Sequence, residues 1–322
     1  MKALILEEIG KLALREVPEP EPGQGETLVA VTRCALCRTD AKMWLRGQRD
    51  LVLPRVLGHE ICGVRESDGQ RVAVWPAESC GKCSHCMAGS ENLCGNIRVL
   101  GFNKDGGFAE KVMVGESSLL SLPSALGDDL ACLAEPLACA INALEQSETP
   151  RGANILIFGA GSLGLLLALA AIDLGAIPTI VEINRDKLHR SRMFRIGLGI
   201  AAVESPGSGL YDIAINACPA SETFHQGVSR LKPGGIFCMF SGFNQDENFP
   251  SCWINEIHYR QLRVVGAYGC ARSHFTKAVN LLDRSQDEVR LLIDKEIDLE
   301  SAPEGLQEIL AGQALKIEVV FR

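Results

Sequence analysis

Four cysteines at Cys80, Cys83, Cys86 and Cys94, spaced C-x2-C-x2-C-x7-C, constrain this chain more than any other stretch. That spacing lets one short loop wrap a tetrahedral Zn²⁺ with four thiolates at Zn–S distances of about 2.3 Å. Gly81, Gly89 and the small polar residues of "CGKCSHCMAGSENLC" supply the turns the wrap needs, so the loop over 80–94 predicts a closed structural metal site. A disulfide framework is the first competitor. It belongs to small secreted domains, whereas this chain has 322 residues, opens on Met1-Lys2 without an apolar leader, and scatters its other cysteines through apolar segments. A reducing cytoplasm is the expected setting. An iron–sulfur cluster is the second competitor. The proline that commonly follows the last ligand in ferredoxins is replaced by Gly95, and ligand type with spacing favours zinc.

A nucleic-acid zinc module fits poorly, because the formal charge is −8 and Lys and Arg form no basic stripe. Aromatic residues, at 5%, leave few platforms on which bases would stack. With 47% hydrophobic and 22% charged residues the chain can bury two domain cores. Its longest apolar run, Leu163 to Leu174, is interrupted by Asp173 and is too short to span a bilayer, which predicts a buried helix and no membrane. No period of 20 to 50 residues marks a solenoid or propeller.

Short β-like runs punctuated by Gly and Pro fill the first part: "KALILEE", "ETLVAVTRC", "QRVAVWP", "GFAEKVMV". They predict a β-rich domain over residues 1–137. From Ala138 the pattern turns to helix, strand, glycine turn, helix and strand, a βαβ unit that starts a parallel sheet over 138–270. The runs "YDIAINAC", "GGIFCMFSG" and "LRVVGAYG" continue that sheet. Residues 271–322, ending in the strand "KIEVVF", are expected to return to the first domain. The fold class is α/β.

Gly159, Gly161 and Gly164 form G-x-G-x-x-G directly after the strand "NILIF" and directly before a helix, with Ser162 and Leu163 inside the motif. In that context the first glycine permits the tight turn, the second lets backbone approach a pyrophosphate, and the third lets helix pack on strand. Glu182 ends the next strand, where a carboxylate meets ribose hydroxyls. It would repel a 2′-phosphate and so favours NAD over NADP, although Arg185 and Lys187 pull the other way.

Cys37 and His59 each stand where a β-rich segment meets a loop, and Cys, His and Glu together make an open catalytic zinc site. Cys37-Arg38-Thr39-Asp40, Gly58-His59-Glu60, the four-cysteine lobe, "GGFAE" at 106–110, "AEPLA" at 134–138 and the glycine turn follow in that order. In this succession the chain resembles, over nearly its whole length, the zinc-dependent medium-chain dehydrogenase/reductase family of alcohol and polyol dehydrogenases. The resemblance implies a GroES-like catalytic domain and a Rossmann domain. It implies two zinc ions per chain, NAD, and a homodimer or homotetramer with the cysteine lobe near the subunit contacts. Cys37 and His59 match catalytic zinc ligands, and Glu60 and Glu135 are alternatives for the third. Thr39 matches the hydroxyl that passes the substrate proton, and Asp40 the carboxylate that orients the histidine. Arg38 matches a pyrophosphate-binding arginine, and Lys187 a lysine near the adenosine ribose.

Three departures stand out. Lys42 occupies the place of the histidine that ends the proton relay. The segment "ICGVRESDGQRV" is short and is expected to lack a hairpin, and the short stretch Gly197 to Tyr211 predicts loss of a strand and a helix. Glu135 at the third-ligand position, with "HYRQLRVVGAYG" and "SHFTKAVNLL", resembles the polyol branch, so the expected substrate is a secondary alcohol of a polyol or sugar. A sugar phosphate, a cyclic alcohol or NADP linkage is the alternative within the family. A non-catalytic NAD-binding zinc protein acting as a redox sensor is the alternative outside it, and it would need only the lobe and the glycine turn. Trp44 is a candidate pocket liner, and simple core is the other reading. Arg260 and Arg263 read as a solvated strand edge before a phosphate site. Cys34, close to Cys37, is expected to be oxidation-prone.

Overall fold

The computed structural model describes residues 1–243 and 249–322. The chain forms two compact units, Met1–Ala138 with Cys270–Arg322, and Cys139–Gly269. Among the described residues no helix is long and apolar enough to cross a membrane.

In the first unit the elements that carry the site are β1 (Lys2–Glu8), β2 (Glu26–Ala35), α1 (Arg38–Arg46), β3 (Glu60–Arg65), β4 (Arg71–Val74) and β5 (Lys111–Gly115). Side chains of β2 alternate between buried and half-buried, the period-two signature of an antiparallel strand with one face on a core. Its first half pairs with β5 and its second half with β3, with Ala35 opposite Glu60. That register brings Cys37, two residues past Ala35, and His59, one residue before Glu60, off the sheet at the same end. Val29, Ile61, Leu57, Phe108 and Trp44 lie in the core beneath, so Trp44 is core. Cys34 is there too, fully buried, with burial pushing its thiol well above the ordinary value; it lacks the access and thiolate character that oxidation needs, contrary to expectation. The segment after Glu60, expected to lack a hairpin, forms one: β3 and β4 pair antiparallel from Ile61–Val74 to Val64–Arg71.

The helix α2 (Ala134–Gln146) carries Glu135 in its first turn. There follow β6 (Asn154–Phe158), α3 (Ser162–Asp173), β7 (Ile177–Val181), β8 (Ala201–Val203), β9 (Tyr211–Asn216), β10 (Leu231–Met239) and β11 (Arg263–Gly266). Their sheet is all parallel in the order β8-β7-β6-β9-β10-β11, the doubly wound order whose switch point falls between β6 and β9. Helix α3 is buried along most of its length, as its unbroken apolar run requires. The expected loss at 197–211 is half right. The strand survives as β8, since three residues suffice to pair with Thr179–Val181, and only the helix before β9 is missing. Arg260 is no solvated edge residue: its guanidinium donates to the Leu231 and Val228 carbonyls and pairs with Glu256. Arg263 lies on the edge strand β11 and pairs with Glu148.

Back in the first unit, β12 (Ile293–Ile297) pairs parallel with β13 (Lys316–Val320), which pairs antiparallel with β2 at Glu318–Ala35, Val319–Cys34 and Val320–Arg33. The C-terminal strand thereby joins the end of β2 from which Cys37 emerges.

Candidate functional site

Cys37 caps the N-terminus of α1. Its Sγ accepts the Thr39 N–H at 3.4 Å, and Asp40 Oδ2 accepts the Cys37 N–H at 3.2 Å. This reciprocal cap fixes the Cys37 sulfur at the N-terminus of α1. Asp40 is fully buried, and its Oδ1 accepts the Gly58 N–H at 3.2 Å and faces His59 Nδ1 at 3.1 Å. With Nδ1 turned to Asp40, Nε2 is the ring nitrogen that the neutral imidazole would offer to a metal. Gly58 is obligatory beside it. Its φ is +91°, and a Cβ there would lie 2.7 Å from the Phe108 ring and 2.9 Å from Cys34 Sγ.

Two ligand groups share His59: Cys37, Asp40 and His59 in one, His59, Glu60 and Glu135 in the other, with donor atoms in each within 4.8 Å of one another. Burial opposes a charge on His59, yet the Asp40 carboxylate and the Cys37 thiol raise it well above the ordinary histidine value. Burial pushes Glu60 up to about 7, Lys316 pulls it down and Glu135 adds to the rise. Lys316 itself is held above the ordinary lysine value by Glu60, against its own burial. The sulfur, imidazole and carboxylate donors gathered here are of the types found in an open zinc site. Lys316 is a residue that sequence reasoning missed; a lysine opening the mostly apolar terminal strand was the available signal. Thr39 is half-buried on the first turn of α1. Lys42, one turn on, is lowered by burial and by Arg38.

In the lobe, the four sulfurs of Cys80, Cys83, Cys86 and Cys94 all lie within 4.8 Å of one another, with Cys80–Cys86 at 3.9 Å and Cys83–Cys86 at 3.4 Å. A tetrahedron of 2.3 Å Zn–S bonds has S–S edges of about 3.8 Å, so the sulfurs are close to a metal cage already. Gly81 and Gly89 take φ of 69° and 72° at its turns. Backbone N–H groups of Lys82 and Cys83 draw the Cys80 thiol down to about 6, which suits a thiolate ligand. All these cysteines are free thiols.

The glycine turn joins β6 to α3. Gly159 has φ +113°, Gly161 faces open space, and a Cβ on Gly164 would sit 2.0 Å from the Gly159 carbonyl. The first and third are therefore required by backbone geometry, and the second leaves an approach clear. Ser162 and Leu163 occupy the first helical positions, whose N–H groups have no partner within the helix. Glu182 is buried, Oε2 accepting the Ala160 N–H at 2.9 Å and Oε1 the Asn184 N–H at 2.8 Å, so its carboxylate is pinned against the turn. Lys187 lies half-buried on the short helix that Asn184 caps. Asn216, also missed, is fully buried and ties the ends of β9 and β10 through Phe240, and Ser241. In the first unit, Arg38 Nε is buried without a hydrogen-bond partner, as an arginine awaiting an anion would be.

Residues 23–124 match the alcohol dehydrogenase GroES-like domain. Along the whole chain, an uncharacterized zinc-type alcohol dehydrogenase-like protein of Haemophilus influenzae is 29% identical, covering 100% of this chain and 99% of that one. The sorbitol dehydrogenase of Halalkalibacterium halodurans is 27% identical, covering 98% of both. Among solved structures, a zinc-binding dehydrogenase from Sinorhizobium meliloti bound to NADP superimposes with a TM-score of 0.88 at 29% identity, covering 99% of each chain. Galactitol-1-phosphate dehydrogenase from Escherichia coli, at 22% identity and a TM-score of 0.90 over 100% of both chains, shares the fold.

Proposed function

We propose that this chain, which belongs to the zinc-dependent medium-chain dehydrogenase/reductase family, oxidises a secondary alcohol of a polyol or sugar with NAD⁺ and runs the reverse reduction. The observation that carries the reading is the pair of ligand groups that meet at His59, Cys37 and Asp40 in one and Glu60 and Glu135 in the other, which a redox sensor would not need. A zinc ion held there supplies Lewis acidity that makes an alcohol proton easy to lose, and nicotinamide takes the hydride. Asp40 orients His59 through Nδ1, while Thr39 Oγ1 would accept the alcohol's proton as it gives up its own, and Lys42 on the same helix, its ammonium disfavoured by burial, would take that proton as the neutral amine. In the second unit the backbone at Gly161, Ser162 and Leu163 would receive the pyrophosphate, with Lys187 beside the ribose; in the first unit Arg38, with its Nε unpaired, is suited to an anion. Two zinc ions per chain are expected, one in the pocket and one in the lobe.

The carboxylate of Glu182, fixed beside the glycine turn, supports NAD over NADP, a point on which this chain would differ from the NADP-bound Sinorhizobium protein. Glutamate at position 135 and the likeness to sorbitol dehydrogenase support a polyol substrate. Thirteen cysteines without a disulfide support a reducing cytoplasm, and Met87 and Leu93, exposed on the lobe, support a homodimer or homotetramer. An NAD⁺ reduction screen over polyols, sugar phosphates and simple secondary alcohols tests the substrate class. Turnover of simple alcohols alone would refute it, and a higher kcat/KM with NADP⁺ would refute the role given to Glu182.

A further inference from the structure

Asn216, the last residue of β9, is fully buried, and both ends of its amide engage backbone. Oδ1 accepts the Phe240 N–H at 2.8 Å and the Ser241 N–H at 3.2 Å, and Nδ2 donates to the Ser241 carbonyl at 2.8 Å. Two N–H groups and one carbonyl allow only this orientation of the amide, and neither leucine nor an ionised aspartate, the side chains nearest in size, could meet all three. The neighbouring strands β6, β7 and β10 end on Phe158, Val181 and Met239, so the sheet itself does not require a polar side chain at this level. The ladder between β9 and β10 ends at the pair Asn216–Met239, and the Asn216 side chain carries it on past the point where the β9 backbone turns away. That backbone turns onto the glycine turn: the Ala217 N–H donates to the Phe158 carbonyl at 2.9 Å, and a Cβ on Gly159 would lie 3.1 Å from the Ala217 carbonyl. Asn216 therefore fixes residues 240–241, just beyond β10, relative to the segment that lies against the glycine turn.

We propose that Asn216 is a positioning residue for the nicotinamide half of the dinucleotide. In a doubly wound sheet a dinucleotide lies across the switch point, with one half on each side of it. The glycine turn after β6 and the Glu182 carboxylate pinned against it serve the pyrophosphate and the adenosine half. The other half then comes to the ends of β9 and β10, beside residues 240–241. Without the Asn216 amide, Phe240 and Ser241 have two N–H groups and a carbonyl to satisfy elsewhere, and their backbone must shift or open to water to do so. The adenosine half is held by groups that Asn216 does not touch, so the two halves of one ligand should respond differently to its loss.

The inference rests on the dinucleotide site proposed above. It is tested on the whole zinc-loaded chain by titration with NADH, followed by fluorescence, and with ADP-ribose, which lacks the nicotinamide, followed by calorimetry. Asn216→Leu is expected to weaken NADH about tenfold while ADP-ribose stays within about twofold of the unaltered chain. A purely structural role would lower Tm and weaken both ligands together, or neither. Equal weakening of the two ligands, or unchanged NADH affinity, in a folded Asn216→Leu protein would overturn the proposal. Should that variant fail to fold by circular dichroism, Asn216→Asp takes its place. Its carboxylate still accepts both N–H groups but gives the Ser241 carbonyl no donor, so NADH should again weaken, by about threefold or more, with ADP-ribose unchanged. NADH affinity in that variant equal to that of the unaltered chain would likewise overturn the proposal. An unaltered chain that binds neither NADH nor ADP-ribose would instead overturn the dinucleotide site itself.

Discussion

The two candidate metal-ligand sets of the first unit are built on opposite principles. The lobe draws four ligands of one type from a single stretch, residues 80–94, and folds them with tight turns and short-range hydrogen bonds. The pocket draws Cys37 from the end of one strand, His59 and Glu60 from the start of its neighbour, Glu135 from a helix and Lys316 from the C-terminal strand. Cys80, Cys83 and Cys86 remain partly accessible, whereas His59, Glu60, Asp40 and Lys316 are all less than 5% exposed. A closed set of soft ligands can only hold its ion. A mixed set, incomplete without its surroundings, leaves coordination to be shared and therefore leaves room for chemistry.

That contrast breaks most visibly under ligand deletion. Cys37→Ala and His59→Ala are expected to lower NAD⁺-dependent turnover about a thousandfold or more, the several kcal/mol that a Lewis acid supplies, while elemental analysis still finds the lobe metal. Activity within tenfold of the unaltered chain would place the chemistry elsewhere. Asp40→Asn keeps every ligand but removes the anion that orients His59, so a loss of about 10–100-fold in pocket-metal affinity or activity is expected. Cys83→Ala should act on the other side of the comparison, losing the lobe metal and lowering Tm by several degrees with kcat/KM changed less than about threefold. A collapse of kcat with an unchanged Tm would reverse the roles assigned to the two sites.

The smallest expected effect concerns pH. Burial raises Glu60 and Glu318 to about 7 in the folded chain, from an ordinary 4.5, so the folded state binds their protons more tightly than the unfolded state does. The metal-free protein should therefore lose stability as pH rises from about 4.5 through about 7, seen as a lower urea midpoint at pH 8 than at pH 5. Metal uptake, which favours the Glu60 anion, should shrink that fall, and so should Glu318→Gln. A midpoint that rose with pH in the chelated protein would contradict both burial effects.

Much of this was legible before any coordinates. The lobe and the glycine turn follow from local spacing, and residues 271–322, expected to return to the first domain, lie in the first unit from Cys270 onward. What went unread was short or distant. The strand Ala201–Val203 has too few residues to show a period, and Lys316 and Asn216 are polar residues at the ends of mostly apolar strands, indistinguishable in sequence from surface positions. Cys34 was misjudged because two cysteines three apart in a strand and its cap lie on different surroundings, one in the core and one at a helix N-terminus.

By itself the sequence determined the sites whose geometry closes within a dozen or so residues: four cysteines around two glycine turns, and three glycines between a strand and a helix. Only the tertiary structure decided how Glu60, Glu135 and Lys316 relate, because that relation is set by the register in which β13 and β3 flank β2 and by the burial that makes an unpaired charge costly. Neither register nor burial is carried by any local pattern of residues; both exist only once strands far apart in the chain lie side by side.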